Sequence, residues 1–312
     1  MNPCRISLLA RLFFDSVGIT LLNSNRFCLL NNETDCVTRY IKPNYAVNFD
    51  TIFDDILDCD KNVTNRDVFF AIKTFSDYHK TRITVVKRTW ARTAKYVEYF
   101  SDQQDHYIPT IVLGINNTKR GHCAKTLSIL KHFLSHNEAK YMSWFVIADD
   151  DTLISVRRLY RLLSCYDARL KLIVGERYGY GFSGVGLYGY DYPTGGASMI
   201  FTQGAMQKMA KSCSCPNVDS PDDMIIGKTH ISIKSVDNGY FAGMCARRFF
   251  IPIIHSTAFH QARSVDYPRL YLEKIPPISF HKFEDIDPYE EYATWLHDTD
   301  SIPASRPLHS EL

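Results

Sequence analysis

Three consecutive carboxylates, Asp149, Asp150 and Asp151, close the apolar run in WFVIADDDTLI. Crowded, partly buried carboxylates raise one another's pKa unless a cation neutralises them. In an extended chain alternate side chains share a face, so Asp149 and Asp151 point together while Asp150 points away. The carboxyl end of a buried strand is where open α/β sheets bind ligands. Oxygen ligands there suit Mg2+ or Mn2+, ions that typically bridge phosphates. The competing reading is a solvated acidic helix start, which the helix dipole would favour.

Transfer of a sugar from a nucleotide needs a metal at the departing diphosphate, a base for the acceptor hydroxyl and a further ligand for the metal. The chain has a candidate for each. SPDDMIIG carries Asp222 and Asp223 on a Ser-Pro turn ahead of an apolar segment, as a helix start would. HSTAFHQAR supplies His255 and His260 just after the strand-like FFIPII. A lone histidine is more often structural than a ligand. No GxxxxGK[ST] loop is present, and GYGFSG at 179–184 matches a dinucleotide fingerprint by letters alone.

These residues must be positioned by a framework, and its pattern is readable from residue 82 onward. RITVV and YIPTIVLGI read as strands, KTLSILKHFLS as an amphipathic helix and WFVIA as a buried strand. Leu153, Val156, Leu159, Leu162 and Leu163 recur at helical spacing, with Asp151 or Thr152 as a candidate cap. LKLIVG and ASMIF read as further strands, and GAMQKMAKS as a helix. Strands alternating with helices indicate an α/β domain with a largely parallel sheet. Eight of the 15 glycines fall between Gly175 and Gly196, interleaved with tyrosines, which reads as a long loop rather than regular structure. Residues 1–80 show no motif and are expected to be a region of unclear fold.

The chain's 312 residues allow one large domain or two modest ones. A net charge of +2 gives no electrostatic argument for nucleic acid, and no apolar run reaches the ~18 residues of a membrane span. RISLLARLFF near the start is interrupted by Arg11 and closed by Asp15, which makes it at best a damaged signal peptide. None of the nine cysteines has zinc-site spacing, so they read as buried thiols or as structural disulfides of an oxidising compartment, the second being preferred. Sequons at Asn32, Asn62 and Asn116 fit a secretory protein.

From about residue 82 to 296 the chain resembles the fringe-like β-1,3-glycosyltransferases, and within them the members that glucosylate O-linked fucose on thrombospondin type 1 repeats. The resemblance is carried by IPTIVLGINNTKRGHCAKT, WFVIADDDTLISVRRLYRLLSCYD, VGERYGYG, PTGGASMIF, SPDDMIIG, FHQARSVDYP and PISFHKF, in this order. It implies a GT-A fold over 81–312 and inverting transfer from UDP-glucose to the fucose 3-hydroxyl, with Mn2+ or Mg2+. It further implies Asp151 and His260 as metal ligands, with Asp149 and Asp150 near the metal or donor. Asp223 is implied as general base, with Asp222 the fallback. Glu176, Arg177, Gly195 and Gly196 are implied as donor contacts, with a conformational role as the alternative for the glycines. It also suggests pairing of Cys123 with Cys165. The alternatives are a β-1,3-N-acetylglucosaminyl- or galactosyltransferase, or an inactive luminal glycan-binding protein. O-fucosylated thrombospondin-repeat proteins are the implied acceptors.

Two features depart from the pattern. KTHISIKSVDNGYFAG at 228–243 stands where relatives run almost directly on, as a surface insertion or a translated, unspliced intron, since its 16 codons preserve frame. Relatives also carry a longer front, so an incomplete N-terminus is expected. The C-terminal HSEL resembles an endoplasmic-reticulum retrieval signal, which points to the lumen of that compartment.

Overall fold

The computed structural model describes residues 62–180, 190–226 and 245–297, together with the backbone of three strands nearer the N-terminus. By its internal contacts the chain forms two units, Met1–Leu57 and Asp58–Leu312. The first contains β1 (Ile19–Asn23), β2 (Arg26–Asn32) and β3 (Asp35–Tyr40), an antiparallel sheet.

The second unit is built on a seven-stranded sheet. Its strands are β4 (Val68–Lys73), β5 (Tyr96–Ser101), β6 (Thr110–Val112), β7 (Trp144–Asp149), β9 (Ile173–Gly175), β12 (Met199–Thr202) and β13 (Ile253–His255). Their order is β13-β9-β12-β7-β4-β5-β6, and only β12 runs antiparallel to its neighbours. The expected α/β class with a largely parallel sheet is therefore present. The boundary expected at residue 80 lies inside this unit, because VFFAIK at 68–73 is a fully buried central strand.

Alternation along β4 shows how the layers form. Phe70 and Ile72 join one core with Ile83 and Val86 of α1 (Arg82–Arg88) and Leu159 and Leu163 of α3 (Val156–Ser164). Phe69 and Ala71 join the other, with Leu130 and Phe133 of α2 (Cys123–Ser135) and Met206 and Met209 of α4 (Gln203–Ser212). A strand buried on both faces reads as a continuous apolar run. α4 is capped by Thr202, whose hydroxyl accepts from the Ala205 N–H.

Three expectations of local structure change. RITVV is the start of α1, not a strand: Ile83 and Val86 lie one turn apart and are buried, so packing on the sheet overrides β-branched propensity. The leucine-rich helix starts after Ser155, because Thr152–Ile154 is drawn into a short strand, β8, paired with β14 (Ser279–His281). The glycine-tyrosine stretch is not all loop: β10 (Arg177–Tyr180) and β11 (Tyr190–Pro193) form an antiparallel hairpin. α5 (Asp222–Ile226) begins right after the Ser-Pro turn, as expected.

Cys123 pairs with Cys215, not Cys165, and Cys213 pairs with Cys245. The Cys123–Cys215 bridge follows from the Gly121 turn, where backbone N–H groups of 121 and 123 bond to Asp219 and Ser220 carbonyls. α6 (Cys245–Arg248), α7 (Arg269–Lys274) and α8 (Pro288–Glu291) complete the unit. Among the described residues no helix is long and apolar enough to cross a membrane. The leader-like segment, residues 228–243 and the HSEL tail lie outside the described residues.

Candidate functional site

Two strand pairings assemble the acidic end of the sheet. β4 and β7 run parallel with Lys73 opposite Asp149, so both side chains leave the sheet at its carboxyl edge. β8 and β14 place His281 opposite Thr152, and the Lys282 N–H donates to the Asp151 carbonyl at 3.1 Å. His281 Nε2 thereby lies 3.1 Å from Asp151 Oδ1 and 3.9 Å from Asp149 Oδ2.

The tautomer of His281 is decided by its other nitrogen. Nδ1 is 3.1 Å from the Gln261 carbonyl oxygen, which can only accept, so Nδ1 carries a proton. Nε2 then turns toward two carboxylates. Burial opposes an imidazolium there, but the hydrogen bond that Nε2–H donates to Asp151 and the charges of Asp151 and Asp149 outweigh it and raise the His281 pKa. A divalent cation would satisfy the same three groups without the proton, and a backbone carbonyl on the far nitrogen is the usual device for orienting a metal-bound imidazole. Asp149, Asp151 and His281 thus fit a metal by donor type and by mutual distance.

The structure does not bring His260 to this cluster. Its ring is 1% exposed, stacked on Phe280 at 5.0 Å and tilted against Tyr267 at 4.4 Å, and burial pushes its pKa down to about 4. It lines a separate cavity of about 300 Å³ with Glu176, Tyr267 and Tyr271. Beside Asp149 and Asp151, where the resemblance implies His260, the structure sets His281.

A second cluster, Glu98 with His132 and His136, also has the donor types of a metal site. His136 Nδ1, however, accepts from the Glu138 and Ala139 N–H groups at 3.2 and 3.0 Å, which leaves the ring proton on Nε2, pointing at Glu98 2.9 Å away. That tautomer does not ligate through Nε2.

Cations surround the acidic triplet. Arg82 bonds Asp150 Oδ1 at 3.0 Å and Asp151 Oδ2 at 2.9 Å and also pairs with Glu284. Asp150 accepts from the Thr74 hydroxyl at 2.7 Å; burial nevertheless raises its pKa to about 6, with the Asp151 charge adding to the effect. Lys73 Nζ is 2.9 Å from Asp149 and 2.6 Å from Asp222. A cavity of about 560 Å³ opens over this edge, lined by Lys73, Arg82, Lys119, Lys125, the three aspartates and His281, with Phe75 and Tyr78 on its wall. Four basic side chains over a carboxylate cluster suit a diphosphate carried with a divalent metal.

The two acidic residues of α5 differ in environment. Asp222 is buried, but Lys73's charge and the hydrogen bonds of Lys73 and Thr126 overcome desolvation and bring its pKa down to about 2. Asp223 is half-buried; burial and the Asp222 charge raise its pKa to about 6, partly countered by the Met224 N–H at 2.7 Å. Carboxyls whose pKa values are pushed apart divide into a structural anion and a titratable base.

Gly195 stands between the two centres: its N–H lies 3.4 Å from Asp223 Oδ2, and a Cβ there would sit 4.0 Å from Asp149 Oδ2. Gly196 is a steric requirement, since a Cβ would come within 2.3 Å of His281 Nδ1. Glu176, drawn up to about 7 by burial, accepts from the Gln261 N–H at 2.6 Å and so braces the residue that orients His281. Arg177 opens β10, its N–H donating to His255 Nδ1 at 3.1 Å, and does not line the large cavity. Sequence reasoning missed Lys73, Arg82, Lys125, Gln261 and His281. Two signals were available: the buried run ending at Lys73, and the second Phe-His pair in PISFHKF.

The family model for Fringe-like proteins matches residues 63–301. The chain belongs to the Fringe-like family. It is 47% identical over 247 residues to the human (Homo sapiens) beta-1,3-glucosyltransferase, covering 79% of this chain and 46% of that protein. The mouse (Mus musculus) beta-1,3-glucosyltransferase is 45% identical over 249 residues, covering 80% and 47%. The Drosophila melanogaster Fringe glycosyltransferase is 33% identical over 119 residues, covering 35% and 28%. The Fringe-like chain spans about half the length of the first two relatives. Among solved structures, a glycosyltransferase involved in glycosylation of the major capsid of PBCV-1 superposes at a TM-score of 0.39 and 11% identity, covering 72% of this chain and 96% of that one. A likeness that distant carries no weight.

Proposed function

We propose that this chain is an inverting, metal-dependent β-1,3-glucosyltransferase that moves glucose from UDP-glucose to the 3-hydroxyl of O-linked fucose on thrombospondin type 1 repeats. The observation that supports it most is the joining of two centres across one edge of the sheet. The Asp149–Asp151–His281 cluster faces a basic cavity, and Lys73 ties it to the helix that carries the base Asp223.

In this reading Asp151, Asp149 and His281 hold Mn2+ or Mg2+, which would neutralise the departing diphosphate. Lys125 and Lys119 flank the diphosphate in the cavity, and Phe75 offers a planar surface to the uracil. Asp223 takes the proton of the acceptor hydroxyl as its oxygen bonds the anomeric carbon. The bond from that carbon to the diphosphate oxygen breaks, and UDP leaves. Asp222 stays ionised and holds Lys73. The two disulfides favour an oxidising secretory compartment, in this reading the endoplasmic reticulum lumen.

The test is transfer by the purified chain, with Mn2+, to an O-fucosylated thrombospondin repeat, comparing UDP-glucose, UDP-N-acetylglucosamine and UDP-galactose. Transfer from UDP-glucose alone is expected. Use of another donor would replace the sugar and keep the mechanism; UDP binding without transfer from any donor would favour a glycan-binding protein. Asp223→Asn should lower kcat by about 10²–10⁴. A base acts when ionised, so the wild-type rate should rise with pH through about 6 and then level off. A rate independent of pH between 5 and 7 would remove Asp223 from that role.

A further inference from the structure

The β10–β11 hairpin presents aromatic positions on one face. Tyr178 is opposite Tyr192 and Tyr180 is opposite Tyr190. Directly paired residues share a face, as do residues two apart on a strand. The register therefore puts all four tyrosine positions on one side and Gly179 and Asp191 on the other. The rings of Tyr178 and Tyr192 meet edge to face with centroids 6.2 Å apart, while Tyr178 is 41% and Tyr180 58% exposed.

This face is continuous with the site. The Tyr178 hydroxyl is hydrogen-bonded to Glu176. α5, which carries Asp223, packs on β11, and Tyr192 is close enough to Asp223 for its charge to act on the phenol. Tyr178, Tyr180 and Tyr192 do not line the cavity over the acidic triplet. A base must lie within hydrogen-bond reach of the hydroxyl it deprotonates. The acceptor therefore approaches Asp223, and among the described residues the tyrosine face lies beside it, outside the diphosphate cavity.

We propose that the Tyr178–Tyr180–Tyr192 face is the acceptor-sugar subsite, on which the apolar side of the acceptor pyranose stacks. The proposal rests on the transferase reading above and adds where its second substrate lies. Tyrosine rings offer a large rigid surface to an apolar sugar face at little entropic cost. A 6-deoxy sugar such as fucose, with a methyl group on its rim, would gain from such a surface more than a fully hydroxylated hexose.

The experiment measures binding of p-nitrophenyl α-L-fucoside and of an O-fucosylated thrombospondin-repeat peptide by calorimetry, on wild type, Tyr178→Ala/Tyr180→Ala and Tyr178→Phe/Tyr180→Phe. Melting temperature serves as the fold check. The alanine pair should weaken both probes about tenfold, and the phenylalanine pair should hold them within about threefold. Unchanged binding in the alanine pair, or equal loss in both pairs, overturns the stacking subsite. A wild type that binds UDP with Mn2+ but neither fucosyl probe overturns the subsite and leaves the donor site standing. A wild type that binds neither UDP nor fucosyl probes overturns the transferase reading with it.

Discussion

Lys73→Met keeps the length of the side chain and removes the charge that joins Asp149 to Asp222. In the wild type, Asp222 is buried and its pKa falls from 3.8 to about 2, so its ionised form adds about 2 kcal/mol of stability. That contribution is present above pH 4 and is lost as pH falls through 2. Without Lys73, the Thr126 hydroxyl remains as a partner. A buried carboxylate so exposed to desolvation protonates in the folded state, its pKa moving above 3.8. Protonating at pH 7 a group that is ionised in the unfolded chain costs about 4 kcal/mol. Added to the about 2 kcal/mol that ionised Asp222 no longer contributes, the loss at pH 7 reaches about 6 kcal/mol, at or above the about 3–5 kcal/mol typical of breaking a buried pair. The sign of the pH dependence then reverses. From pH 4 to 7 the group makes no demand on wild-type stability, whereas the variant should lose stability as pH rises, by up to about 1.4 kcal/mol per unit. Urea unfolding between pH 4 and 8 measures both slopes. Adding Asp222→Asn to Lys73→Met should recover more than half of the loss at pH 7. A variant that loses under 1 kcal/mol and keeps the wild-type slope would refute the claim that this pair fixes α5 to the sheet.

Two further tests address the metal cluster and the disulfides. His281→Ala should abolish the rise in melting temperature given by Mn2+ with UDP, whereas His260→Phe should retain it; the opposite pattern would return the metal to His260. Cys213→Ser/Cys245→Ser, closing a 32-residue span, should cost about 3–4 kcal/mol in denaturant unfolding, and Cys123→Ser/Cys215→Ser, spanning 92, about 4–5. Losses under 1 kcal/mol in both pairs would mean that neither bridge constrains the unfolded chain.

The chemistry of this site was legible where it is local. The aspartate triplet at the end of WFVIA and the Pro-Asp-Asp turn are each a few residues long, and their surroundings, an apolar run and a helix start, lie in the same stretch of chain. Their partners are not local. Lys73 reaches Asp149 because β4 lies beside β7, and Arg82 reaches Asp150 and Asp151 because a run of β-branched residues coils into α1. The cysteine pairing failed for the same reason, since the Gly121 turn brings Cys123 against the segment before α5 rather than toward α3.

The two Phe-His pairs mark the division. By itself the sequence determined that a carboxylate cluster, an acidic helix start and a histidine after a phenylalanine stand at the ends of an α/β sheet. Phe259-His260 and Phe280-His281 are the same dipeptide, and composition cannot rank them. Tertiary structure decided between them. Pairing of β14 with β8 turns Phe280 into the core, where it stacks on His260, and turns His281 outward to Asp151. The physical reason is the period of two along a strand: a register is set by the partner strand, and with it which of two neighbouring side chains meets the aspartates and which is buried.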